Sequence, residues 1–197
     1  MVYDGILLGL IVGFIRAGWK NGLLALSQIN IRFGWVFPLL LLGQFGLYLL
    51  QDKFSFFAQF NGYIYIVIYV TGLSLLWLNR HQKGLGIIFA GVLLNFVVML
   101  ANGGRMPVSL EAAQAVLDPI YIDMLMSGDA VTKHFLMDES TRLSFLGDII
   151  PLGPPYPRSQ AISIGDVVIN VGVFLFILQL LGKKSKPNSN SLPENAL

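Results

Sequence analysis

Long stretches of apolar residues, separated by short clusters of charge, dominate the pattern of this chain. Because a helix needs about 20 mostly apolar residues to cross a bilayer, the uncharged stretches predict membrane-spanning helices. The pattern places these helices at residues 2–18, 35–50, 62–78, 85–101 and 164–181. The fold class expected from the sequence is therefore all-α, an integral membrane helical bundle of about five transmembrane helices.

The first of these segments is the shortest, since charge brackets it at Asp4 and Arg16. Arg16 and Lys20 can extend to the membrane interface, with Trp19 beside them as an anchor. A re-entrant or interfacial helix is the alternative for this segment. Residues 21–31 are apolar but interrupted by polar positions, which predicts an amphipathic connection lying at the interface.

Residues 102–161, between the fourth and fifth predicted spans, form the one long soluble stretch. Within it, residues 109–117 predict a short helix with Ser109 as N-cap and Glu111 in the first turn. The end of this stretch carries four prolines, Pro151, Pro154, Pro155 and Pro157. Such a run predicts a stiff, extended chain. Residues 183–197 are polar, and predict a disordered tail.

Composition supports a membrane setting, because 55% of the residues are hydrophobic and 12% are charged. A soluble domain carries about 25% charged residues. The absence of cysteine excludes disulfides, thiolate metal sites and a cysteine nucleophile. The sequence has no Walker A loop, dinucleotide fingerprint, HExxH or GxSxG motif. No basic stripe with interleaved aromatics is present, so no nucleic acid partner is expected.

The distribution of charge predicts an orientation. If the N-terminus lies outside, the inside segments contain eight of the thirteen basic residues, Arg16, Lys20, Arg32, Arg80, Lys83, Lys183, Lys184 and Lys186. Ten of the eleven acidic residues then lie outside. Basic residues collect in cytoplasmic loops, so we expect the N-terminus outside and the C-terminus inside. Residues 102–161 then form an extracytoplasmic loop, and residues 183–197 a cytoplasmic tail.

The first candidate for chemistry is the NGGRMP motif, residues 102–107, at the outer end of the fourth span. Gly103 and Gly104 are expected to end the helix, since glycine adopts the left-handed conformation without steric cost. Arg105 follows at the membrane surface. It is either an interfacial cation near headgroups or an arginine that holds a lipid phosphate, a substrate anion or a partner carboxylate.

The second candidate is a pair of Gly-Asp steps that contain Asp148 and Asp166. Burial raises the pKa of a carboxyl and a nearby cation lowers it. Two such carboxyls brought together could share a proton and activate water. The structural alternative is that Asp166 caps the last helix and that Asp148 pairs with Arg105.

Polar residues inside the spans, Gln44, Asn95 and Asn170, are expected to form hydrogen bonds between helices. A second group contains methionines and one histidine, Met106, Met124, Met126, Met137 and His134. These side chains could bind Cu(I), but their irregular spacing favours apolar packing. No metal and no cofactor are therefore expected.

Three outer-face motifs, LLNFVVMLANGGRMPVS, LGDIIPLGPPYP and ISIGDVVINVGVFLFI, resemble an uncharacterised family of small bacterial multi-pass membrane proteins. The resemblance covers residues 5–181 and implies a location in the bacterial cytoplasmic membrane, with no activity assigned. The last motif is also similar to that of the lipoprotein signal peptidases, which are membrane aspartic peptidases. That similarity implies a catalytic place for Asp166, but NGGRMP lacks the aspartate that their first motif carries.

The function expected from the sequence is binding or interaction at the extracytoplasmic membrane face. The alternatives are an outer-face aspartic hydrolase that uses Asp148 and Asp166, and a small transporter or accessory subunit of a membrane complex. The expected partners are the lipid bilayer, lipid headgroups or another membrane protein. The predicted binding residues are Asn102, Gly103, Gly104, Arg105, Pro107, Asp148 and Asp166.

Overall fold

A computed structural model describes residues 2–50, 53–127 and 133–182. Helices dominate these ranges, together with four short strands. The helices are α1 (Val2–Ala17), α2 (Trp19–Ser27), α3 (Val36–Leu50), α4 (Ser55–Leu78), α5 (Leu85–Ala101), α6 (Leu110–Val116), α7 (Pro119–Ser127) and α8 (Ile164–Leu181). The strands are β1 (Met106–Val108), β2 (His134–Leu136), β3 (Ile150–Leu152) and β4 (Gln160–Ile162).

Helix α8 is the centre of the bundle, because it packs against α1 on one side and α5 on the other. Helix α4 packs on α5, and α3 packs on α4, so α3 lies at the edge of the bundle. One end of the bundle carries residues 102–163, and we call it the loop end. The opposite end carries residues 79–84 and the last turn of α8, and we call it the tail end.

Glycines on one face of α1 allow it to pack closely against α8. Gly5, Gly9 and Gly13 recur every four residues, and each lies on the side that faces α8. A Cβ added at Gly9 would lie 2.9 Å from Cβ of Ile177. The backbone N–H of Gly5 also donates to Oδ1 of Asn170 at 2.7 Å, as expected for a polar residue that joins helices.

Glycines also bring α5 and α8 together, in antiparallel orientation. A Cβ at Gly91 would lie 2.7 Å from the carbonyl oxygen of Gly165. A Cβ at Gly172 would lie 2.7 Å from the backbone nitrogen of Ile88. Small residues at such crossings let two backbones approach, which increases van der Waals contact.

Two asparagines at helix ends attach distant segments to the bundle. Asn79, at the end of α4, accepts from the N–H of Arg32 at 2.8 Å and donates to its carbonyl oxygen at 3.0 Å. Asn102, at the end of α5, makes the same pair of bonds with the backbone of Arg142, at 3.0 and 2.8 Å. Each side chain amide therefore pairs with both the backbone N–H and the backbone carbonyl of one remote residue, as the backbone of a neighbouring strand does.

Residues 102–161 contain short strands as well as helices, so the all-α prediction needs correction. Strand β1 pairs with β2 in parallel, and β3 pairs with β4 in antiparallel orientation. The proline run was predicted to be extended, but only Pro151 lies in a strand, β3. Residues 154–158 form turns and bends that return the chain to β4. The run reverses because β3 gains a hydrogen-bonded partner by pairing with β4.

The short helix predicted after the NGGRMP motif is confirmed as α6. Oγ of Ser109 accepts from the N–H of Ala112 at 3.1 Å, which makes Ser109 its N-cap, and Glu111 lies in the first turn. Ala112 and Ala113 are the buried residues of α6 itself. The amphipathic connection predicted at residues 21–31 is largely helical, as α2.

Helices occupy all five segments predicted to span a bilayer, but their lengths differ. Among the described residues, Gln59–Leu78 and Ile164–Leu181 are long and apolar enough to cross a membrane. Val36–Leu47 and Leu85–Ala101 are shorter apolar helices. Helix α1 has 16 residues. The predicted tail, residues 183–197, lies outside the described residues.

Candidate functional site

The start of α8 is fixed by a capping box at the loop end. Oγ of Ser163 accepts from the N–H of Asp166 at 3.0 Å, and Oδ2 of Asp166 accepts from the N–H of Ser163 at 3.2 Å. This reciprocal pair satisfies two backbone donors that the first turn leaves unpaired. The position predicted for Asp166, at the beginning of the last helix, is confirmed.

Asn95 of α5 joins this cap from the neighbouring helix. Its Nδ2 donates to Oδ1 of Asp166 at 2.9 Å, and its Oδ1 accepts from Oγ of Ser163 at 2.8 Å. Gly165 leaves the space that the amide occupies, since a Cβ there would overlap Oδ1 of Asn95. Both carboxylate oxygens of Asp166 are therefore engaged, Oδ1 with Asn95 of α5 and Oδ2 with the N-cap of α8 itself.

Asp148 lies beside the first strand of the loop end. Its N–H donates to the carbonyl oxygen of Pro107 at 2.9 Å, and its carbonyl oxygen accepts from the N–H of Ser109 at 3.1 Å. Asp148 is 5% exposed. Within the described residues, its buried Oδ1 has no hydrogen-bond partner.

Two basic residues from the start of β2 approach Asp148. Nε2 of His134 lies 3.5 Å from Oδ2 of Asp148, and the His134 side chain is 41% exposed. The ammonium group of Lys133 lies 5.5 Å from the centre of the Tyr69 ring and acts on the charge of both Asp148 and Asp166. We call Lys133, His134, Asp148 and Asp166 the loop-end cluster.

Three residues of the loop-end cluster, Lys133, His134 and Asp148, have displaced pKa values. Burial, and then the negative charge of Asp166, raises the pKa of Asp148 to about 7, although Lys133 opposes this change. Partial desolvation of the 41% exposed imidazole, followed by the positive charges of Lys133 and Arg105, lowers the pKa of His134. For Lys133, burial is outweighed by Tyr69 and by the two aspartates, so its pKa lies above the ordinary value.

The opposite displacements determine the protonation of the contact between His134 and Asp148. The lowered pKa keeps the imidazole uncharged near neutral pH, and the raised pKa lets the Asp148 carboxyl keep its proton to a higher pH than an ordinary carboxyl does. A carboxyl that titrates in this range can donate or accept a proton under physiological conditions. The half-exposed imidazole connects it to solvent.

The two glycines of the NGGRMP motif end α5 as predicted. Gly103 and Gly104 have φ of 67° and 85°, and the N–H of Gly104 donates to the carbonyl oxygen of Met99 at 2.7 Å. This bond is the long one of a Schellman cap. The backbone of Gly104 also lies directly against Gly62 of α4, a contact that a side chain would prevent.

The other residues of the motif have structural partners. Asn102 binds the backbone of Arg142, and Pro107 is fully buried within β1. Nη2 of Arg105 donates to the carbonyl oxygen of His134 at 2.6 Å, and its guanidinium lies 5.7 Å from the centre of the Phe135 ring. Burial lowers the pKa of Arg105. Arg105 thus reaches the loop-end cluster through His134.

The sequence did not indicate Lys133 as a functional residue, and it indicated His134 only in connection with metal binding. Both residues reach Asp148 because β2 pairs with β1, so Met106 lies opposite His134. A strand of three residues has too little periodicity to be predicted from its own sequence. Within the described residues, no group of three or more histidine, aspartate or glutamate side chains is arranged to hold a metal ion.

Comparison with known proteins assigns the chain to a family. The profile of DUF5317, a family of unknown function, matches residues 28–178. The chain belongs to the DUF5317 family. This DUF5317 member is also 32% identical over 106 residues to an uncharacterised protein of Thermotoga maritima. That alignment covers 54% of the chain and 56% of the relative, about half of each. No solved structure matches the DUF5317 chain.

Proposed function

We propose that this DUF5317 member is a multi-pass protein of the bacterial cytoplasmic membrane with a binding site at its extracytoplasmic face. Large apolar side chains on the bundle surface support the membrane setting. Helices α1, α3, α4, α5 and α8 all carry such side chains, among them Leu8, Leu42, Tyr63, Leu100 and Val171. A surface of this kind is stable in a bilayer and would cause aggregation in water.

Helix length supports two spans directly, in α4 and α8, and the other three helices are shorter. Helices α4 and α8 have 24 and 18 residues, which at 1.5 Å per residue give about 36 and 27 Å. Helices α3 and α5 have 15 and 17 residues and reach about 22 to 26 Å. Helix α1, with 16 residues, is equally short against a hydrocarbon core of about 30 Å. Snorkelling of Arg16 and local bilayer thinning allow α1 to cross.

The proposed orientation is supported by contacts of the N-terminus with the loop end. The hydroxyl of Tyr156 donates to Oδ2 of Asp4 at 2.5 Å. A nitrogen of the Arg158 guanidinium lies 3.8 Å from Oδ1 of Asp4. The N-terminus therefore lies on the same side of the bundle as residues 102–161. Among the described residues, the tail end carries the basic residues Arg16, Lys20, Arg32, Arg80 and Lys83 and no acidic residue.

The buried, unpartnered Oδ1 of Asp148 is the observation that carries the proposed binding site. A buried polar atom without a hydrogen bond costs about 1–3 kcal/mol, so a ligand or partner group that donates to it would bind favourably. The neighbouring half-exposed His134 gives access from solvent. Arg105 and Lys133 add positive charge nearby. We infer a partner that offers a hydrogen-bond donor together with a carboxylate or phosphate.

Purification in mild detergent followed by native mass spectrometry tests this site. We expect the wild-type chain to retain a lipid, a small polar molecule or a protein, and Asp148→Asn to lose most of it. Asp123→Asn is the matched control, because Asp123 is an exposed carboxylate of the same segment. Recovery of the bare chain from wild-type membranes, or equal retention by both variants, would exclude the site.

An outer-face hydrolase is the second candidate, and the raised pKa of Asp148 beside Asp166 favours it. Two neighbouring carboxyls that share a proton can activate water. The bonds from Asn95 and Ser163 to the two oxygens of Asp166 weigh against it, since a catalytic carboxylate must face its substrate. If the protein is a hydrolase of this kind, Asp148→Asn and Asp166→Asn should each abolish its cellular function. Full function in either variant would exclude this candidate.

A further inference from the structure

A cavity of about 510 Å³ opens at the tail end of the bundle. Its walls are the end of α1, the connection between α4 and α5, and the last turns of α8. The cavity lies at the opposite end of the molecule from the loop-end cluster. Its lining combines charged and amide side chains with the apolar side chains Phe176, Leu178 and Leu180.

Positive charge surrounds this tail-end cavity. The cations Arg16 and Lys83 line it together with His81, and among the described residues no acidic side chain does. All three side chains are exposed, and none forms an ion pair within the described part of the chain. Cations near the carbonyl end of a helix are favourable in themselves.

Gln179 lies in the wall of the same cavity, and rotation of its side chain amide would bring an acceptor into it. Its Oε1 is buried and has no hydrogen-bond partner among the described residues. A buried amide oxygen in this state favours a ligand with an N–H or O–H donor. Together with the three basic residues, it suits a ligand that combines an anion with a donor group.

The wall formed by the connection between α4 and α5 is held in place. Gly84 has φ of 93°, and a Cβ there would lie 2.6 Å from Cα of Phe176. Nε2 of Gln82 donates to the carbonyl oxygen of Asn30 at 2.7 Å. Lys83 therefore extends from a backbone fixed on both sides, and a fixed site binds with a smaller loss of conformational entropy.

We propose that the tail-end cavity binds a phosphate-bearing ligand. Arg16 and Lys83 hold the phosphate, Gln179 accepts a hydrogen bond from an amine or hydroxyl of the ligand, and Phe176 contacts its apolar part. A phospholipid headgroup and free phosphate both carry this chemistry. Binding of a lipid headgroup requires the chain to lie in a membrane, as proposed above, whereas binding of free phosphate does not.

Thermal stabilisation of the full-length chain in detergent distinguishes the sources. The probes are dihexanoyl phosphatidylethanolamine, dihexanoyl phosphatidylglycerol and sodium phosphate, each titrated against wild type. Dihexanoyl phosphatidic acid is the comparison lipid, because its headgroup carries no amine or alcohol group. The test variant is Arg16→Gln with Lys83→Gln. The control is Lys20→Gln with Arg80→Gln, which removes two charges from the same end outside the cavity. Gln179→Leu tests the acceptor separately.

We expect the test variant to bind the lipids at least about ten-fold more weakly, and the control to change little, because only the test variant loses the charge-assisted bonds to the phosphate. Stabilisation by sodium phosphate that the test variant loses supports the site with free phosphate as its source. Gln179→Leu should remove the preference for phosphatidylethanolamine and phosphatidylglycerol over dihexanoyl phosphatidic acid.

Equal weakening in the test variant and the control overturns the proposal, because it shows attraction to a general positive surface. Absence of stabilisation by all three probes also overturns it. Flotation measures separately whether the wild-type chain inserts into liposomes. A failure of the proposed phosphate site can therefore be distinguished from a failure of the proposed membrane setting.

Discussion

His134 and Asp148 lie 3.5 Å apart, and the protein displaces their pKa values in opposite directions. Asp148 has an ordinary pKa of 3.8 and a folded value of about 7. Its stabilising contribution is complete below about pH 4 and is lost as pH rises through about 7. His134 has a lowered pKa, so its contribution is complete above about pH 6.5 and is lost as pH falls.

Removing one member of this pair should expose the pH dependence of the other. In His134→Gln, we expect the melting temperature to fall between pH 5 and pH 8 more than in wild type, because only Asp148 then titrates. In Asp148→Asn, the melting temperature should instead rise between pH 4.5 and pH 6.5, because only His134 of the pair then titrates. The loss from Asp148 is at most about 4 kcal/mol, which corresponds to several degrees.

Thermal unfolding in detergent at fixed ionic strength measures both profiles. Asp123→Asn serves as the control, and its profile should follow that of wild type. Parallel profiles for wild type and both cluster variants would show that Asp148 and His134 keep their ordinary pKa values in the folded protein.

Asn79 is a single buried residue whose side chain attaches the connection before α3 to the end of α4. Asn79→Ala should reduce stability by about 1–3 kcal/mol, because it leaves the backbone N–H and C=O of Arg32 without these partners. A fall of several degrees in melting temperature is expected. Asn21→Ala, at an exposed asparagine of α2, should change it by less than about a degree.

At the scale of the element, the face that each helix buries depends on a few glycines. Gly9 of α1 faces Ile177 of α8, whereas nothing lies within 4 Å of a Cβ placed at Gly43 of α3. Alanine has a higher helix propensity than glycine by about 1 kcal/mol. The same substitution therefore has opposite effects on stability at the two positions.

Gly9→Ala should destabilise the bundle, and Gly43→Ala should be neutral or slightly stabilising. The added methyl at position 9 must separate α1 from α8, and overpacking of this kind costs about 1–3 kcal/mol. Melting temperatures in the same detergent provide the comparison. The proposed packing of α1 on α8 is incorrect if Gly9→Ala stabilises the protein as much as Gly43→Ala does.

At the scale of the whole molecule, the lack of cysteine makes the proposed orientation directly measurable. A cysteine in place of exposed Ser140, at the loop end, should react with a membrane-impermeant maleimide in intact cells. A cysteine in place of exposed Asn21, near the tail end, should react only after permeabilisation. The reverse pattern would invert the orientation, and labelling of both in intact cells would contradict a membrane-spanning bundle.

The sequence alone determined the five long helices and α6, because their signals are local, whereas it did not indicate α7. Uncharged stretches, the cap at Ser109 and the glycines after Asn102 act within a few residues of one another, and helices occur at each predicted segment. The sequence also indicated Asn95 and Asn170 as links between helices, since a polar group inside an apolar helix requires a partner.

Only the tertiary structure determined which groups surround Asp148. Lys133 and His134 reach it through a pairing of three-residue strands, and Asp166 reaches it through the packing of α8 on α5. The tail-end cavity likewise joins Arg16, Lys83 and Gln179 from three separate parts of the chain. Hydrophobic periodicity specifies that a helix buries a face, but it does not specify the partner, because many apolar faces are chemically alike.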